Sequence, residues 1–210
     1  MAVRDRSEEV LDMVATRGDA LELAVLGLLH DAPLHGYEVR KRVNGLCGWS
    51  RVLSYGTLYP CLKSLLRRGL IEPEGTAGTG RRTRIVYRLS AEGKARFAEL
   101  MTRGGPAAWD DDSFGVHFAF FARTDRATRV RILEGRRSRL EERMAGVRAV
   151  LARTAERVDA YTLELQRHGL ESVERDVRWL SELINTERSG APVARTDPQP
   201  SDTPPDTQRT

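Results

Sequence analysis

The sequence predicts a mainly α-helical protein with one small β-hairpin, divided into two parts of different character. Three observations carry this prediction. Apolar residues recur at helical spacing in several segments of the 210-residue chain. Two short runs of β-type residues flank a Gly-containing connection that is typical of a hairpin. In the second half, apolar residues repeat at alternating steps of three and four.

Three helices are predicted at the start of the first part. Residues 19–31 are apolar on nearly every face and carry Asp19 as an N-cap, which indicates a short buried helix. Residues 36–46 form a second helix with Val39 and Val43 facing inward. The third lies in "SYGTLYPCLKSLLRRGLIE", residues 54–72, where Gly69 is placed to end it. Its buried face consists of leucines at i, i+4, i+7 and i+8: Leu58, Leu62, Leu65 and Leu66.

A proline stands inside this third helix. If the helix begins after Ser54, Pro60 lies just beyond the first turn and leaves the Gly56 carbonyl without its helical partner. If Thr57 is the cap, Pro60 occupies the third helical position, where the missing N–H costs little. The residues alone leave both starts open.

Two strands and a fourth helix follow. "LIEPEG" and "TRIVYRLS" are short β-type runs separated by "TAGTGRR", and Ser90 is placed to cap the helix that begins in "SAEGKARFAELM". Three helices followed by a hairpin with a basic tip is the order of a winged helix-turn-helix domain. The predicted fold class is therefore mainly α with a small β-hairpin wing: a winged helix-turn-helix domain plus a long-helix C-terminal dimerisation domain.

The positive charge of the chain is concentrated in the first part. Residues 19–103 carry 14 Lys and Arg against 8 Asp and Glu, whereas residues 104–188 carry 15 of each. A localised basic excess suits a polyanion, because Lys and Arg release counterions from a phosphate backbone. A solvated basic face is the alternative, since the excess is modest.

The third helix predicts which residues would contact DNA. With its leucines buried, the opposite face is cationic and rich in hydrogen-bonding groups, and the N-terminal residues of such a helix lie nearest the base edges. The candidates on this helix are Ser54, Tyr55, Thr57, Tyr59 and Lys63. Arg81, Arg82 and Arg84 at the hairpin tip would reach an adjacent phosphate track or minor groove. An ordinary amphipathic helix with a solvated face is the competing interpretation.

Three blocks of this region resemble one protein family. "LHGYEVRKRV", "SYGTLYPCLKSLLRRGLIE" and "GRRTRIVYRLSAEGKARF" are similar, in this order, to the motifs of the PadR family of bacterial transcriptional regulators. The resemblance covers about residues 21–100. It implies a homodimeric repressor that binds a palindromic operator in double-stranded DNA, with Tyr37, Thr57, Tyr59 and Lys63 facing the DNA. It also favours the earlier start of the third helix. The turn "CGWSRVLSY" departs from the family pattern, so the roles of Trp49 and Arg51 and the operator preference stay open.

The second half predicts long helices. From Val130, the three-four stepping reaches Leu165, and eight of the ten added positions are apolar. A single helix over residues 125–167 would be about 60 Å long, and a second apolar seam follows Gly169. A hairpin between the two helices is expected in part, but a shorter second helix would leave apolar residues for a second subunit. The residues predicted to form the dimer interface are Leu140, Met144, Val147, Leu151, Val177, Trp179, Leu180 and Ile184.

Aromatic residues cluster between the two parts. "DDSFGVHFAFFARTD" and "ESVERDVRWLSELI" loosely resemble the C-terminal helical domain of longer PadR proteins. In related regulators, aromatic side chains at this place line a pocket for planar effectors. The resemblance therefore implies a site for a small planar aromatic effector at Trp109, Phe114, Phe118 and Phe121, whereas aromatic clusters in general are more often core. His117 is expected to be a satisfied packing residue, and Asp110, Asp111 and Asp112 are expected to cap a helix near Ser113.

The predicted domains are an N-terminal extension (1–18), the winged helix-turn-helix domain (19–103), a helical dimerisation and effector domain (110–188) and a disordered tail (189–210). The tail holds five of the nine prolines. No enzyme or cofactor is expected, because the chain lacks a nucleotide-binding loop, a nucleophile elbow and metal-ligand spacing around Cys47, Cys61 or its four histidines. A cytoplasmic location is expected, with no membrane partner, since no long apolar run occurs. The alternative function is a winged-helix protein-interaction module without specific DNA binding.

Overall fold

The computed structural model describes residues 6–46, 55–77, 84–111, 113–154 and 157–190. The helices are α1 (Arg6–Asp31), α2 (Gly36–Leu46), α3 (Tyr55–Arg67), α4 (Ala91–Thr102), α5 (Phe114–Ala119), α6 (Arg126–Thr154) and α7 (Ala160–Ser189). The strands are β1 (Leu34–His35), β2 (Ile71–Ala77) and β3 (Arg84–Leu89). Within these residues, no helix is both long and apolar enough to cross a membrane.

The first part of the chain folds as a winged helix. Helices α1 to α4 enclose a core that includes Val39 and Val43, which are buried as predicted. The sheet is antiparallel in the order β1-β3-β2, and its hairpin is the wing. Strand β1 was not predicted, because a strand of two residues is too short to show alternating apolar and polar residues. In this strand, Leu34 pairs with Tyr87 of β3. The predicted fold class, a winged helix followed by C-terminal helices, is confirmed.

The predicted start of the first helix at Asp19 is wrong. Helix α1 is continuous from Arg6 to Asp31, so Asp19 lies inside it and caps nothing. Its carboxylate instead lies 4.0 Å from guanidinium nitrogens of Arg96 and Arg103 on α4. Aspartate is a common N-cap residue, but the Asp19 carboxylate instead forms ion pairs between α1 and α4.

The second part is an antiparallel pair of helices with its own core. The single helix predicted over residues 125–167 is wrong, because α6 ends at Thr154 and α7 begins at Ala160. Asp159 ends the connection: its Oδ1 accepts hydrogen bonds of 3.0 Å from the backbone N–H groups of Tyr161 and Thr162. The side-chain acceptor of Asp159 thus satisfies the first free donors of α7.

The two long helices cover each other. With 29 and 30 residues they are each about 44 Å long, so the length difference that would require a second subunit does not exist. Leu140, Leu180 and Ile184, predicted to face a partner chain, are instead buried within this intrachain pair. Helix α5 joins the two parts, since Val116 lies in the first core and Phe114 in the second.

Candidate nucleic-acid interface

The sequence of α3 explains both its orientation and its ends. Leu58, Leu62 and Leu65 are buried, and Leu66 is half-buried at the edge of the same core. At the C-terminal end, Gly69 has a φ of 68°, and the Leu70 N–H donates to the Leu65 carbonyl at 3.0 Å. This is the glycine-ended stop that the sequence predicts. Because α3 begins at Tyr55, the earlier of the two predicted starts is the one observed, and Pro60 is its sixth residue.

The face of α3 opposite the leucines is open and positively charged. Thr57, Lys63 and Arg67 are exposed, and the side chain of Tyr59 retains half of its accessible surface. An open groove of about 500 Å³ runs along this face; its lining is formed by Tyr59, Pro60, Lys63, Leu66 and Arg67. A helix that presents hydroxyl and ammonium groups beside a groove is chemically suited to phosphates and base edges.

The start of α2 lies beside the same face. The backbone N–H of Glu38 donates to His35 Nδ1 at 3.2 Å, so the His35 ring caps the helix. Tyr37, in the first turn, is highly exposed. A methyl group on Gly36 would lie 3.9 Å from the Tyr59 ring and 3.7 Å from the Tyr87 ring, which shows that both rings flank this turn. The start of α2, where Tyr37 is exposed, therefore lies close to the Tyr59 ring of α3.

Two residues of this surface were missed from the sequence. The His35 cap has no simple signal, because histidine is an uncommon N-cap. Tyr87 could have been found as the tyrosine of the "VYRLS" run. Its side chain is partly buried, and burial together with the nearby Tyr59 raises the pKa of its hydroxyl. The Tyr87 hydroxyl therefore stays neutral, and it lies on β3 near Tyr59 of α3.

The remaining predicted DNA contacts are only partly described. Ser54, Arg81 and Arg82 lie outside the described residues, as do Trp49 and Arg51. Tyr55 is the first residue of α3 and Arg84 the first residue of β3. On the hairpin, Glu72 of β2 and Arg88 of β3 face each other and form an exposed ion pair.

The aromatic residues between the two parts form a packed cluster. The Phe118 ring centroid lies 5.0 Å from that of Phe121, 5.7 Å from that of Phe114 and 5.4 Å from that of Trp179. Trp109 packs elsewhere: its ring covers Gly135 of α6, where a methyl group would lie 2.2 Å from it. Of the four predicted effector residues, the structure brings together the three phenylalanines and adds Trp179.

His117 and the acidic residues before α5 differ from expectation. His117 is buried, but its Nδ1 has no hydrogen-bond partner among the described residues, and burial lowers its pKa to about 4. Asp110 and Asp111 do not cap α5. The Asp110 carboxylate pairs with Arg139 at 2.7 Å, and that of Asp111 pairs with Arg136. These ion pairs attach the segment before α5 to α6.

Comparison with known proteins finds a family model that matches the first part of the chain. Residues 25–99 match the model of the Transcriptional regulator PadR-like family. No curated protein matches the chain. Similar solved structures include Bacillus subtilis PadR in complex with operator DNA, with 19% identity and a TM-score of 0.40 over 80% of this chain and 98% of that chain. The same protein in complex with p-coumaric acid has 19% identity and a TM-score of 0.38 over 80% and 99%.

A third similar structure is the PadR-like transcriptional regulator BC1756 from Bacillus cereus, with 21% identity and a TM-score of 0.36 over 81% of this chain and 99% of that chain. The residues matched by the family model, 25–99, span most of the winged helix and the exposed face of α3. Through these residues, the first part of the chain is similar to the Transcriptional regulator PadR-like family.

Proposed function

We propose that the protein is a homodimeric repressor that binds a palindromic operator through α3. The observation that carries this proposal is the open, cationic face of α3, which presents Tyr59 and Lys63 and lies beside Gly36 at the start of α2, one residue before the exposed Tyr37. In a helix-turn-helix, the second helix enters the major groove and the first crosses the backbone. Repression follows when a bound operator overlaps a promoter, because polymerase is then excluded.

The contacts divide into two kinds. The residues proposed to face base edges are Thr57, Tyr59 and Lys63, with Ser54 and Tyr55 at the leading end of α3. Tyr37 is proposed to face the DNA backbone. Arg81, Arg82 and Arg84 of the wing are proposed to contact phosphates. The first group should determine sequence preference, whereas the wing should contribute affinity for any DNA.

The dimer interface is proposed on a second apolar stripe of α7. Tyr161, Leu165 and Trp179 retain 89%, 71% and 42% of their accessible surface. At 100° per residue, positions 161 and 179 point in the same direction and position 165 is within about 40° of them. This stripe lies roughly 100° from the buried seam at Leu180. It is therefore available to a second copy, together with the half-buried Val147 and Leu151. The other two predicted residues, Met144 and Val177, are half-buried but pack against the core within the chain.

An effector is proposed to act at the aromatic cluster. Phe114 and Phe121 belong to the second core, and α5 also contributes to the first. A planar aromatic molecule inserted among these rings would separate the two parts by several ångströms, which would misalign both recognition helices of a dimer. Operator affinity should then fall while the dimer persists.

The DNA contact is tested by fluorescence anisotropy. Wild-type protein first selects a duplex from a random-sequence pool, and each variant is then titrated against that duplex and a scrambled one over a range of salt. Lys63→Ala and Tyr59→Ala should lose affinity mainly for the selected duplex. Arg82→Ala should weaken both duplexes and lower the salt slope by about 1.

Arg178→Ala is the matched control for charge, because Arg178 is exposed on α7, far along the chain from α3. Equal losses by Lys63→Ala on both duplexes would contradict the base-reading role. A wild-type protein that selects no sequence would favour the protein-interaction module instead. Sedimentation of Leu165→Glu beside Arg178→Glu tests the dimer: only the first should yield monomer.

A further inference from the structure

We infer that Glu22 of α1 is a positioning residue that fixes the angle of the recognition helix α3. The inference rests on the proposed DNA-binding function. Glu22 is 8% exposed, and it is the only buried acidic residue among those whose side chains the structure describes. It accepts hydrogen bonds from Arg68 Nη1 at 2.5 Å and Nη2 at 3.0 Å, and from Arg96 Nε at 2.7 Å. One carboxylate therefore joins three helical elements.

Arg68 lies at the C-terminal end of α3, where its position can fix the direction of the helix axis. It directly follows the last residue of the helix, and the next residue, Gly69, has the left-handed conformation that stops it. Hydrogen bonds to the Ser64, Leu65 and Leu66 carbonyls hold this backbone, with the Arg68 N–H donating to Ser64 at 3.0 Å. A side chain held by two parallel hydrogen bonds on such a backbone transmits its position directly to the end of the helix.

The opposite end of α3 is the one proposed to face DNA. The helix has 13 residues, so its ends are about 20 Å apart. A tilt of about 3° at the Arg68 end displaces the Thr57 end by about 1 Å, which is larger than the roughly 0.5 Å tolerance of a functional contact. Pro60 also removes one helical hydrogen bond near the leading end. The C-terminal end is thus the better-anchored of the two.

The same carboxylate ties α3 to the part of the chain that leads to the C-terminal helices. Arg96 lies on α4 and also contacts Glu99 at 2.9 Å. The Thr102 carbonyl at the end of α4 accepts a 3.1 Å hydrogen bond from Arg131 of α6. Burial alone would raise the pKa of Glu22, but hydrogen bonds from Arg68 and Arg96 outweigh it and lower the pKa, so the carboxylate is ionised at neutral pH.

A buried ion pair of this kind adds little net stability compared with an apolar replacement, whereas its geometry is directional. Removal of one partner alone leaves a buried charge uncompensated and lowers the free energy of unfolding, so the alignment of α3 must be tested on folded protein. The test uses full-length protein, the duplex selected by the wild type and the scrambled duplex, at a temperature well below the Tm of every variant. The variants are Glu22→Gln, which keeps shape but removes charge, and Arg68→Lys, which keeps charge but removes the paired hydrogen bonds.

Both variants should lose about tenfold or more in affinity for the selected duplex, with less than about a twofold change on the scrambled duplex. Arg68→Lys should leave the salt slope unchanged. Asp31→Asn is the control, because it removes a carboxylate from the same helix and breaks the exposed pair with Arg123; it should leave the ratio of the two affinities unchanged.

Equal losses on both duplexes, a change in Tm alone, or the same loss in Asp31→Asn would overturn the positioning role. If Glu22→Gln fails to fold, Arg68→Lys decides: unchanged affinity for the selected duplex refutes the inference. A wild-type protein that selects no sequence would overturn the proposed function along with it, whereas successful selection with unaffected variants would overturn the inference alone.

Discussion

Acidification from about pH 7 to pH 5 should destabilise the protein through His117. This side chain is buried on α5, its Nδ1 lacks a partner among the described residues, and burial lowers its pKa from 6.5 to about 4. Between these two values the unfolded chain binds a proton that the folded protein does not. The free energy of unfolding therefore falls as the pH falls, at about 1.36 kcal/mol per pH unit once the unfolded histidine is protonated. Over this range the loss amounts to about 2 kcal/mol.

The measurement is urea unfolding followed by circular dichroism at the two pH values, for wild type and for His117→Leu. Leucine has a similar volume and does not titrate, so the wild type should lose about 2 kcal/mol more than the variant between the two conditions. Carboxylates with lowered pKa, such as Asp111, titrate in both proteins and cancel in the difference. Parallel losses in the two proteins would refute the assignment of a neutral, buried His117.

The remaining predictions concern packing and thiol chemistry. Gly93→Ala should lower the free energy of unfolding by about 1–3 kcal/mol or more, because the added methyl would lie 2.0 Å from the Leu70 carbonyl oxygen. Gly169→Ala in α7 should instead raise the free energy of unfolding by up to about 1 kcal/mol, because its added methyl would have no other atom within 4 Å. Urea titrations of both variants check this contrast. Burial raises the pKa of Cys61 to about 12, so its labelling by a disulfide reagent should be about a thousandfold slower in the folded than in the unfolded protein; residue-resolved mass spectrometry distinguishes it from Cys47.

The winged helix was predictable because its signals are local. Each signal specifies one local feature: the leucine spacing gives the buried face of α3, Gly69 gives its end, and Ser90 gives the start of α4. The Ser90 cap is observed, since the Gly93 N–H donates to Ser90 Oγ at 3.0 Å. What the sequence could not show was how distant residues meet. Glu22 and Arg68 are 46 positions apart, and no local pattern indicates that an acidic residue on a strongly apolar helix is matched by that arginine.

The second half shows the limit of periodicity. A three-four apolar repeat records that a helix has an apolar seam, but it carries no information about whether the covering helix belongs to the same chain. In the sequence, the repeat also continues in phase past Thr154, where α6 ends, to Tyr161 in α7, which hides the break between the two helices. Only Asp159 signals the start of α7, because Asp is a strong N-cap residue. The exposed positions Tyr161 and Leu165 became distinguishable from the buried seam only in the structure.

The proline in α3 can be understood from the two ends of the helix. Pro60 is exposed and borders the groove between Tyr59 and Lys63, so it is not required for the core. In a helix interior, proline lowers helix stability by about 3 kcal/mol relative to alanine. The buried leucines and the C-terminal cap at Gly69 must offset this loss. Its missing N–H leaves the Gly56 carbonyl free of a helical bond, in the turn that is proposed to enter the major groove. On the proposed function, α3 keeps its axis fixed at the Arg68 end, while the turn near Gly56 can adjust locally to the DNA.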